Sequence, residues 1–159
     1  ASRNLSGVRR YVIASLVTGA LVLAGCTPDL PEVTFFADGT TVRLSPADGN
    51  NCHPDLDVCD ATGRLTVPAG KFVNISVPSQ VAKAAWVVVF KYKGADGNEQ
   101  QARTNVFSPE EKRYAYTLTP PTAADQLTHV EVRQFSGMAL DPNQEIQYLT
   151  TSWALDVTP

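Results

Sequence analysis

The sequence predicts an all-β protein, an antiparallel β-sandwich that follows an N-terminal membrane-anchoring segment. Residues 1–25 have the charge and hydropathy order of an export signal. From Glu32 onward, short β-branched and aromatic segments alternate with turn residues, and no run has convincing helical periodicity. We therefore divide the chain into a signal or anchor helix at 1–25, a tether at 26–31 and one extracytoplasmic domain at 32–159.

The N-terminal segment places three arginines before an uncharged apolar run. Arg3, Arg9 and Arg10 precede Tyr11–Ala24, a run of 14 residues. A helix needs about 20 residues to cross a bilayer core, so we expect a cleaved signal, with a retained helical anchor as the alternative. In both cases the positive charge stays inside, and the domain lies outside the cytoplasm.

A motif that resembles a lipid attachment site follows the apolar run directly. Leu23-Ala24-Gly25-Cys26 resembles the bacterial lipobox, in which a cysteine thiol receives diacylglycerol, and a polar tether ends at Pro31. Two acyl chains give stable anchoring where one chain gives only reversible binding. We expect lipidation at Cys26 and membrane lipid as the first partner of this N-terminus.

The other two cysteines lie close together in an acidic loop. Cys52 and Cys59 are separated by six residues, and an oxidising compartment lets such a pair persist as a disulfide. The loop also contains His53, Asp55 and Asp57, which are weak candidates for metal binding. A disulfide-pinned surface loop is the favoured interpretation, because the loop lacks the glycine and closing glutamate of a calcium loop and a softer ion needs reduced thiols.

The first strands flank a strong hairpin signal. Residues 32–36 and 40–44 surround Ala37-Asp38-Gly39, and Asp-Gly between alternating segments is typical of a tight turn. Two further strands, 64–67 and 71–77, lie on either side of Pro68-Ala69-Gly70.

The longest apolar strand predicts the centre of the domain. Residues 85–93 place Trp86, Val88, Phe90 and Tyr92 on one face, with Trp86 as the core anchor. After the turn at 94–98, residues 100–107 are expected to return antiparallel.

The last third of the domain predicts two short helical turns and three strands. Prolines at positions 120 and 121 should end the first of these strands, because proline donates no ladder hydrogen bond. The elements are helical turns at 109–112 and 123–125 and strands at 113–118, 126–135 and within 146–157.

Alternation along the 126–135 strand separates an inner from an outer face. Val130 and Val132 are expected to face the core, with His129, Glu131 and Arg133 exposed to solvent. Eight or nine strands at this spacing predict an immunoglobulin-like or fibronectin-like sandwich.

The chemical inventory favours no catalytic mechanism. The chain has two histidines, neither in a nucleophile, phosphate-loop or metalloprotease motif, and Glu110-Glu111 is expected to be solvated surface. Three of the 13 basic residues and none of the 16 acidic ones lie in residues 1–25, which leaves the remainder at −6. Such a domain repels phosphate backbones, so we expect no nucleic acid partner. The missing catalytic motifs lead us to expect no enzyme activity, and we expect no cofactor.

Four segments carry a resemblance to a known family. They are Leu-Pro-Glu-Val-Thr-Phe-Phe-Ala-Asp-Gly at Leu30–Gly39, Val-Pro-Ala-Gly-Lys at Val67–Lys71, Val-Val-Phe-Lys-Tyr at Val88–Tyr92 and Asp-Gln-Leu-Thr-His-Val-Glu-Val at Asp125–Val132. The chain resembles actinobacterial lipoproteins that carry a single domain of unknown function, and that family brings no catalytic residues to transfer.

From the predicted anchor and the missing catalytic motifs, we expect a non-enzymatic accessory or interaction subunit of an envelope membrane complex. One such assembly is the actinobacterial cytochrome bcc-aa3 respiratory supercomplex, whose oxidase or cytochrome subunits would then be partners. The alternative is a stand-alone binder of a small envelope ligand, whether lipid, glycan or metal, and fold alone does not decide between the two.

Overall fold

The fold is a β-sandwich of two sheets, seen in a computed structural model. It describes residues 30–47, 52–53, 58–141 and 144–159. The strands are β1 (Val33–Ala37), β2 (Thr40–Leu44), β3 (Cys52–His53), β4 (Val58–Cys59), β5 (Gly63–Thr66), β6 (Val73–Ser76), β7 (Trp86–Lys93), β8 (Glu99–Arg103), β9 (Ala115–Leu118), β10 (Gln126–Asp141) and β11 (Gln144–Thr158). A single helical turn, α1 (Ser79–Ala82), follows β6, and a 3₁₀ turn (Pro109–Glu111) precedes β9.

The strand order is that of an immunoglobulin-type sandwich. One sheet runs β2-β1-β6-β9, the other runs β5-β11-β10-β7-β8, and β3 pairs with β4 in a separate small hairpin. In the two sheets only β5 with β11 is parallel. In chain order, β1, β6 and β9 take the places of strands A, B and E, and β7, β8, β10 and β11 those of C, C′, F and G. The predicted all-β sandwich is confirmed, and the parallel pairing of β5 with β11 is added to the antiparallel pattern that the sequence predicts.

The core lies between the sheets and is built on aromatic anchors. Trp86 on β7, Trp153 on β11 and Phe35 on β1 are fully buried, and β10 adds Val130 and Val132. The one polar group of the Trp153 side chain has a hydrogen-bond partner, because its indole Nε1–H donates to the carbonyl of Pro31 at 2.9 Å. Trp86, Val88 and Phe90 of β7 belong to this core and Tyr92 packs against it, so the inward face predicted for the central strand is correct.

The first hairpin forms as its sequence predicts. The β1–β2 turn uses Asp38 and Gly39, with φ of 47° and 79°, and Ala37 pairs with Thr40 across it. Two successive positive φ values are what a tight type I′ turn requires, and Asp-Gly supplies them at low cost.

Several elements differ from the sequence prediction, among them the strand predicted at 100–107, which is Glu99–Arg103 in the structure. The segment 123–125 forms a turn closed by the Asp125 N–H and the Thr122 carbonyl, at 3.2 Å, and not a helical turn. The helical turn α1 was not predicted, because four residues are too few to show a helical period. The last two strands are longer than predicted, since β10 ends at Asp141 and β11 begins at Gln144.

Candidate functional site

Polar and charged side chains gather on the outer face of the five-stranded sheet. On β10 they are His129, Glu131 and Arg133, and the register places them opposite Asp156, Ala154 and Ser152 of β11. We define Glu131, Arg133, His129, Ser152 and Asp156 as the outer-face cluster.

Burial of the outer-face cluster corrects the sequence analysis. His129, Glu131 and Arg133 do point away from the core, as predicted, but they are not exposed to solvent. Glu131 is 0% exposed, His129 is 8% exposed and Arg133 is half-buried. On the same face Val87, Val89 and Phe135 form a second apolar cluster. The alternation predicted the correct face of the sheet for these side chains. They are buried because a segment from elsewhere in the chain covers that face.

The disulfide hairpin is part of that covering segment. Cys52 and Cys59 are bonded and face each other across β3 and β4, which confirms the predicted bridge. Cys59 is 2% exposed, and its backbone N–H donates to Glu131 Oε2 at 3.1 Å. The flanking chain is fixed to β11, because Ala47 N–H donates to the Ser152 carbonyl at 2.7 Å and Thr62 N–H to the Ala154 carbonyl at 3.0 Å.

The Glu131 carboxylate is the centre of the outer-face cluster. Arg133 donates to both of its oxygens, from Nε at 2.9 Å and from Nη2 at 3.2 Å, in a bidentate fork. The Ser152 hydroxyl donates to Oε1 in a short hydrogen bond. With the Cys59 N–H, each carboxylate oxygen accepts two hydrogen bonds. A carboxylate offers about four acceptor sites, so those of Glu131 are filled.

The environment of Glu131 keeps it ionised. Burial opposes the charged form and by itself raises the pKa of Glu131. The interactions with His129, Arg133 and Ser152, together with the Arg133 charge, outweigh burial and lower the pKa to about 2. A buried carboxylate is tolerated on these terms because its charge is paired and its lone pairs are occupied.

His129 lies between two carboxylates. Its Nε2 is 3.6 Å from Glu131 Oε2, and its Nδ1 is 3.4 Å from Asp156 Oδ1. Nε2 is buried and has no hydrogen-bond partner in the part of the chain that the structure describes. Asp156 also lies 3.9 Å from the Arg64 guanidinium on β5, so nitrogen groups from two strands, β5 and β10, lie beside this carboxylate.

The geometry of the outer-face cluster suits a structural role. In a serine nucleophile site the hydroxyl donates to the histidine, whereas here the Ser152 hydroxyl donates to Glu131. Glu131 has its acceptor sites filled and is covered by the hairpin. The arrangement fastens the disulfide hairpin to the sheet.

The remaining predicted site residues fall mostly outside the described part of the chain. Cys26, with the segment before it, and Asp55 and Asp57 lie outside the described residues. His53 is the second residue of β3. Because the disulfide consumes both thiols, a soft metal ion would lose two of the ligands considered for it. Among the described residues, no group of three His, Cys, Asp or Glu side chains could hold a metal ion.

No helix in the described ranges is long and apolar enough to cross a membrane.

Sequence reasoning missed the role of Glu131 and Ser152. One signal was available, since Glu131 and Arg133 are two residues apart on a strand and so share a face. The donor from the hairpin could not be foreseen, because Cys59 is 72 residues away from Glu131 in the chain.

Comparison with known proteins gives the family and no closer relative. No curated protein and no solved structure matches the chain. The family described as "Protein of unknown function (DUF2771)" matches residues 26–158, which is most of the chain and includes both sheets of the sandwich. The chain belongs to this DUF2771 family.

Proposed function

We propose that this protein is a membrane-anchored extracytoplasmic lipoprotein that acts by contact, as a non-enzymatic accessory subunit of an envelope membrane complex. The lipobox at Leu23–Cys26 and the arginines before it support the anchor and the side of the membrane. The family match also begins at Cys26, the residue proposed to carry the lipid.

One structural observation carries the contact role. The most strongly perturbed charged group of the described residues, Glu131, is engaged on both oxygens and covered by the disulfide hairpin. Perturbed carboxylates often mark catalytic sites, but such groups need an acceptor or a proton available to a substrate. Here the charge maintains the shape of the domain, which leaves the surface as the means of action.

The partner we propose is a membrane protein complex, and the cytochrome bcc-aa3 respiratory supercomplex is the specific candidate. A lipid anchor confines the domain to a thin layer at the membrane, where the effective concentration of a partner is high. A modest contact area would then hold the subunit in place.

The test is a tagged purification from native membranes in mild detergent, with mass spectrometry of the co-purifying proteins and of this protein's own N-terminus. We expect a diacylated Cys26 and recovery of oxidase or cytochrome subunits in fixed stoichiometry. The Cys26→Ser variant is the control, and it should lack the lipid. Recovery of the protein alone, from membranes in which Cys26 is lipidated, would contradict the accessory role and leave only the anchor.

A further inference from the structure

The outer face of the four-stranded sheet is exposed to solvent and almost free of charge. Inward positions on its strands, such as Phe35, Ile75 and Leu118, are buried, so the alternate positions face away from the core. The outward positions are Thr34, Phe36, Thr41, Arg43, Asn74, Ser76, Ala115 and Thr117. All of them are exposed or half-buried, and only Arg43 is charged. We call this surface the neutral face.

Two phenylalanine side chains stand on the neutral face. Phe36 on β1 is 39% exposed, and Phe72, which directly precedes β6, is 47% exposed. Phe36 lies opposite Asn74, and Phe72 is two residues before Asn74. The two phenylalanines are therefore diagonal neighbours, with Cα atoms about 7 to 8 Å apart. A single exposed apolar side chain is ordinary, but neighbouring exposed rings on one face mark a binding surface.

A row of hydrogen-bonding side chains crosses the sheet through Phe36. The register places Thr41 on one side of Phe36 and Asn74 on the other, with Thr117 next to Asn74. Thr117 Oγ1 donates to Asn74 Oδ1 at 2.7 Å, and among the described residues the Asn74 Nδ2 group has no acceptor. The row thus sets an aromatic ring between groups that donate and accept hydrogen bonds.

The dimensions of the neutral face limit what it can bind. Four strands about 4.8 Å apart, with five residues at about 3.4 Å each, give a surface of roughly 14 Å by 17 Å. A stable protein interface needs about 800 Å² on each partner, which is about three times this footprint. An open sheet surface also cannot enclose most of a small molecule, as a ligand pocket does. An extended polymer that repeats one modest contact fits both limits.

The chemistry of the neutral face matches a neutral carbohydrate chain. A sugar ring has apolar C–H faces and a rim of hydroxyl groups. The C–H groups pack on the negative face of an aromatic ring, and the hydroxyl groups pair with amide and hydroxyl side chains. A polycation finds no carboxylate at the outward positions. A polyanion finds one basic group, Arg43, on a chain whose net charge after residue 25 is −6.

We propose that the neutral face is a binding site for a neutral polysaccharide. Sugar rings stack on Phe36 and Phe72, and the Asn74 amide, oriented by Thr117, donates to a sugar hydroxyl between them. The site lies on a sheet face and needs neither the lipid anchor nor a membrane partner, so it is independent of the accessory role.

Affinity electrophoresis tests the binding. The full chain, in a polyoxyethylene detergent whose head group carries no sugar, migrates through native gels that contain dextran, mannan or a β-glucan. We expect at least one of these neutral polymers to retard the protein, and we expect hyaluronan, a polyanion, to leave its migration unchanged. Retardation by none of the three neutral polymers, or equal retardation by hyaluronan, would overturn the proposal.

Aromatic substitutions test the location of the site. Phe36→Ala and Phe72→Ala should each weaken the retardation at least about fivefold, because each removes one stacking contact. Tyr114→Ala is the matched control. Tyr114 is 49% exposed, but it shares the alternation of Leu118, whose side chain is buried in the core, and so lies off the neutral face. Equal losses in all three variants would overturn the proposal, and unchanged thermal unfolding shows that a loss is not due to misfolding.

Removal of one hydroxyl tests the hydrogen-bonding pair. Thr117→Val keeps the shape of the side chain and should weaken the retardation about threefold, because it removes the hydroxyl that orients Asn74. Thr66→Val, on β5 of the other sheet, removes an exposed hydroxyl that is hydrogen-bonded to Thr158, and it should bind as the wild type does. Equal retardation of the two variants would contradict the role of Asn74 and Thr117.

The same variants separate this site from the accessory role. If Phe36→Ala loses the polysaccharide and still recovers the membrane partner, the site is supported and the accessory role stands. If Phe36→Ala loses the membrane partner while the wild type binds no polysaccharide, the neutral face is a protein contact and the carbohydrate proposal is wrong.

Discussion

At the scale of single residues, Glu131 determines the energetics of the outer sheet face. Breaking a buried ion pair by removing one partner leaves an uncompensated charge, at a cost of about 3 to 5 kcal/mol. Glu131→Gln preserves the shape but leaves the Arg133 guanidinium beside a neutral amide. We predict a loss of about 3 kcal/mol in the free energy of unfolding at pH 7, measured by urea denaturation.

Glu99→Gln is the control for this substitution. Glu99 is an exposed glutamate that accepts one hydrogen bond from Thr128, so its loss should change the free energy of unfolding by less than about 0.5 kcal/mol. Equal effects of the two substitutions would show that the contacts of Glu131 contribute no more than surface contacts do.

The pH dependence of stability follows from the same carboxylate. The pKa of Glu131 is lowered to about 2 from an ordinary value of 4.5. A lowered pKa means that the folded state binds its proton less readily than the unfolded state. The stabilisation is therefore complete above pH 4.5 and is lost as the pH falls towards 2. We predict that the stability difference between wild type and Glu131→Gln falls to roughly half by pH 3. A difference independent of pH between 7 and 3 would contradict the assigned ionisation.

At the scale of elements, the disulfide hairpin and the sheet should behave as one unit. Removing the bridge by Cys52→Ser/Cys59→Ser frees a short loop, which costs about 2 kcal/mol in the chain-entropy model. It also loosens the Cys59 N–H that bonds Glu131. In a double-mutant cycle with Glu131→Gln, we predict a coupling of about 1 kcal/mol, measured by urea denaturation. Additive effects would show that the hairpin and the carboxylate are independent.

The turn before β6 depends on a glycine for two reasons. Gly70 has φ of 72°, and a Cβ at this position would collide with the carbonyl oxygen of Ala123. Its N–H also bonds the Asp125 carbonyl at 2.9 Å, next to the start of β10. We predict that Gly70→Ala lowers the free energy of unfolding by at least about 2 kcal/mol, in a thermal or urea unfolding experiment.

Gly97→Ala separates the two causes. Gly97 has φ of 78° and open space around a Cβ, so this variant carries the backbone strain without the collision and should lose about 1 kcal/mol. Similar losses at Gly70 and Gly97 would mean that the turn moves aside and that the Ala123 contact is not restrictive.

The elements show which parts of the fold are readable from local sequence. Asp38-Gly39 encodes its own turn, and alternation on β7 correctly places Trp86 in the core, because both signals lie within a few residues. The outer-face cluster was assigned to the correct face, but its burial depends on Cys59, which is distant in the chain. The extension of β10 to Asp141 was missed because the register shifts near Phe135 interrupt the alternation.

At the scale of the whole molecule, the two ends of the sandwich differ. One end, which we call the proximal end, combines the start of the domain at Leu30, the α1 turn and the part of the β10–β11 pair beyond Gln134. The opposite end, which we call the distal end, consists of short polar turns such as 94–98. The outer face of the four-stranded sheet carries uncharged residues apart from Arg43, while on the other sheet the disulfide hairpin covers the charge of Glu131. Tethering at Cys26 would therefore present the proximal end, and not a sheet face, to the membrane.

The length of the tether should determine how well the protein retains its partner. About five residues separate Cys26 from the domain, and the effective concentration of a tethered group falls as roughly the −3/2 power of linker length. Inserting 20 Gly/Ser residues after Asp29 should reduce partner recovery about tenfold, because the linker becomes about five times longer. Membrane fractionation and unfolding should not change, since the lipid site and the sandwich are intact. A matched insertion in the 94–98 turn at the distal end should retain the partner. Full recovery with the long tether would show that the affinity of the domain alone holds the complex, and that the anchor serves only to keep the protein at the membrane.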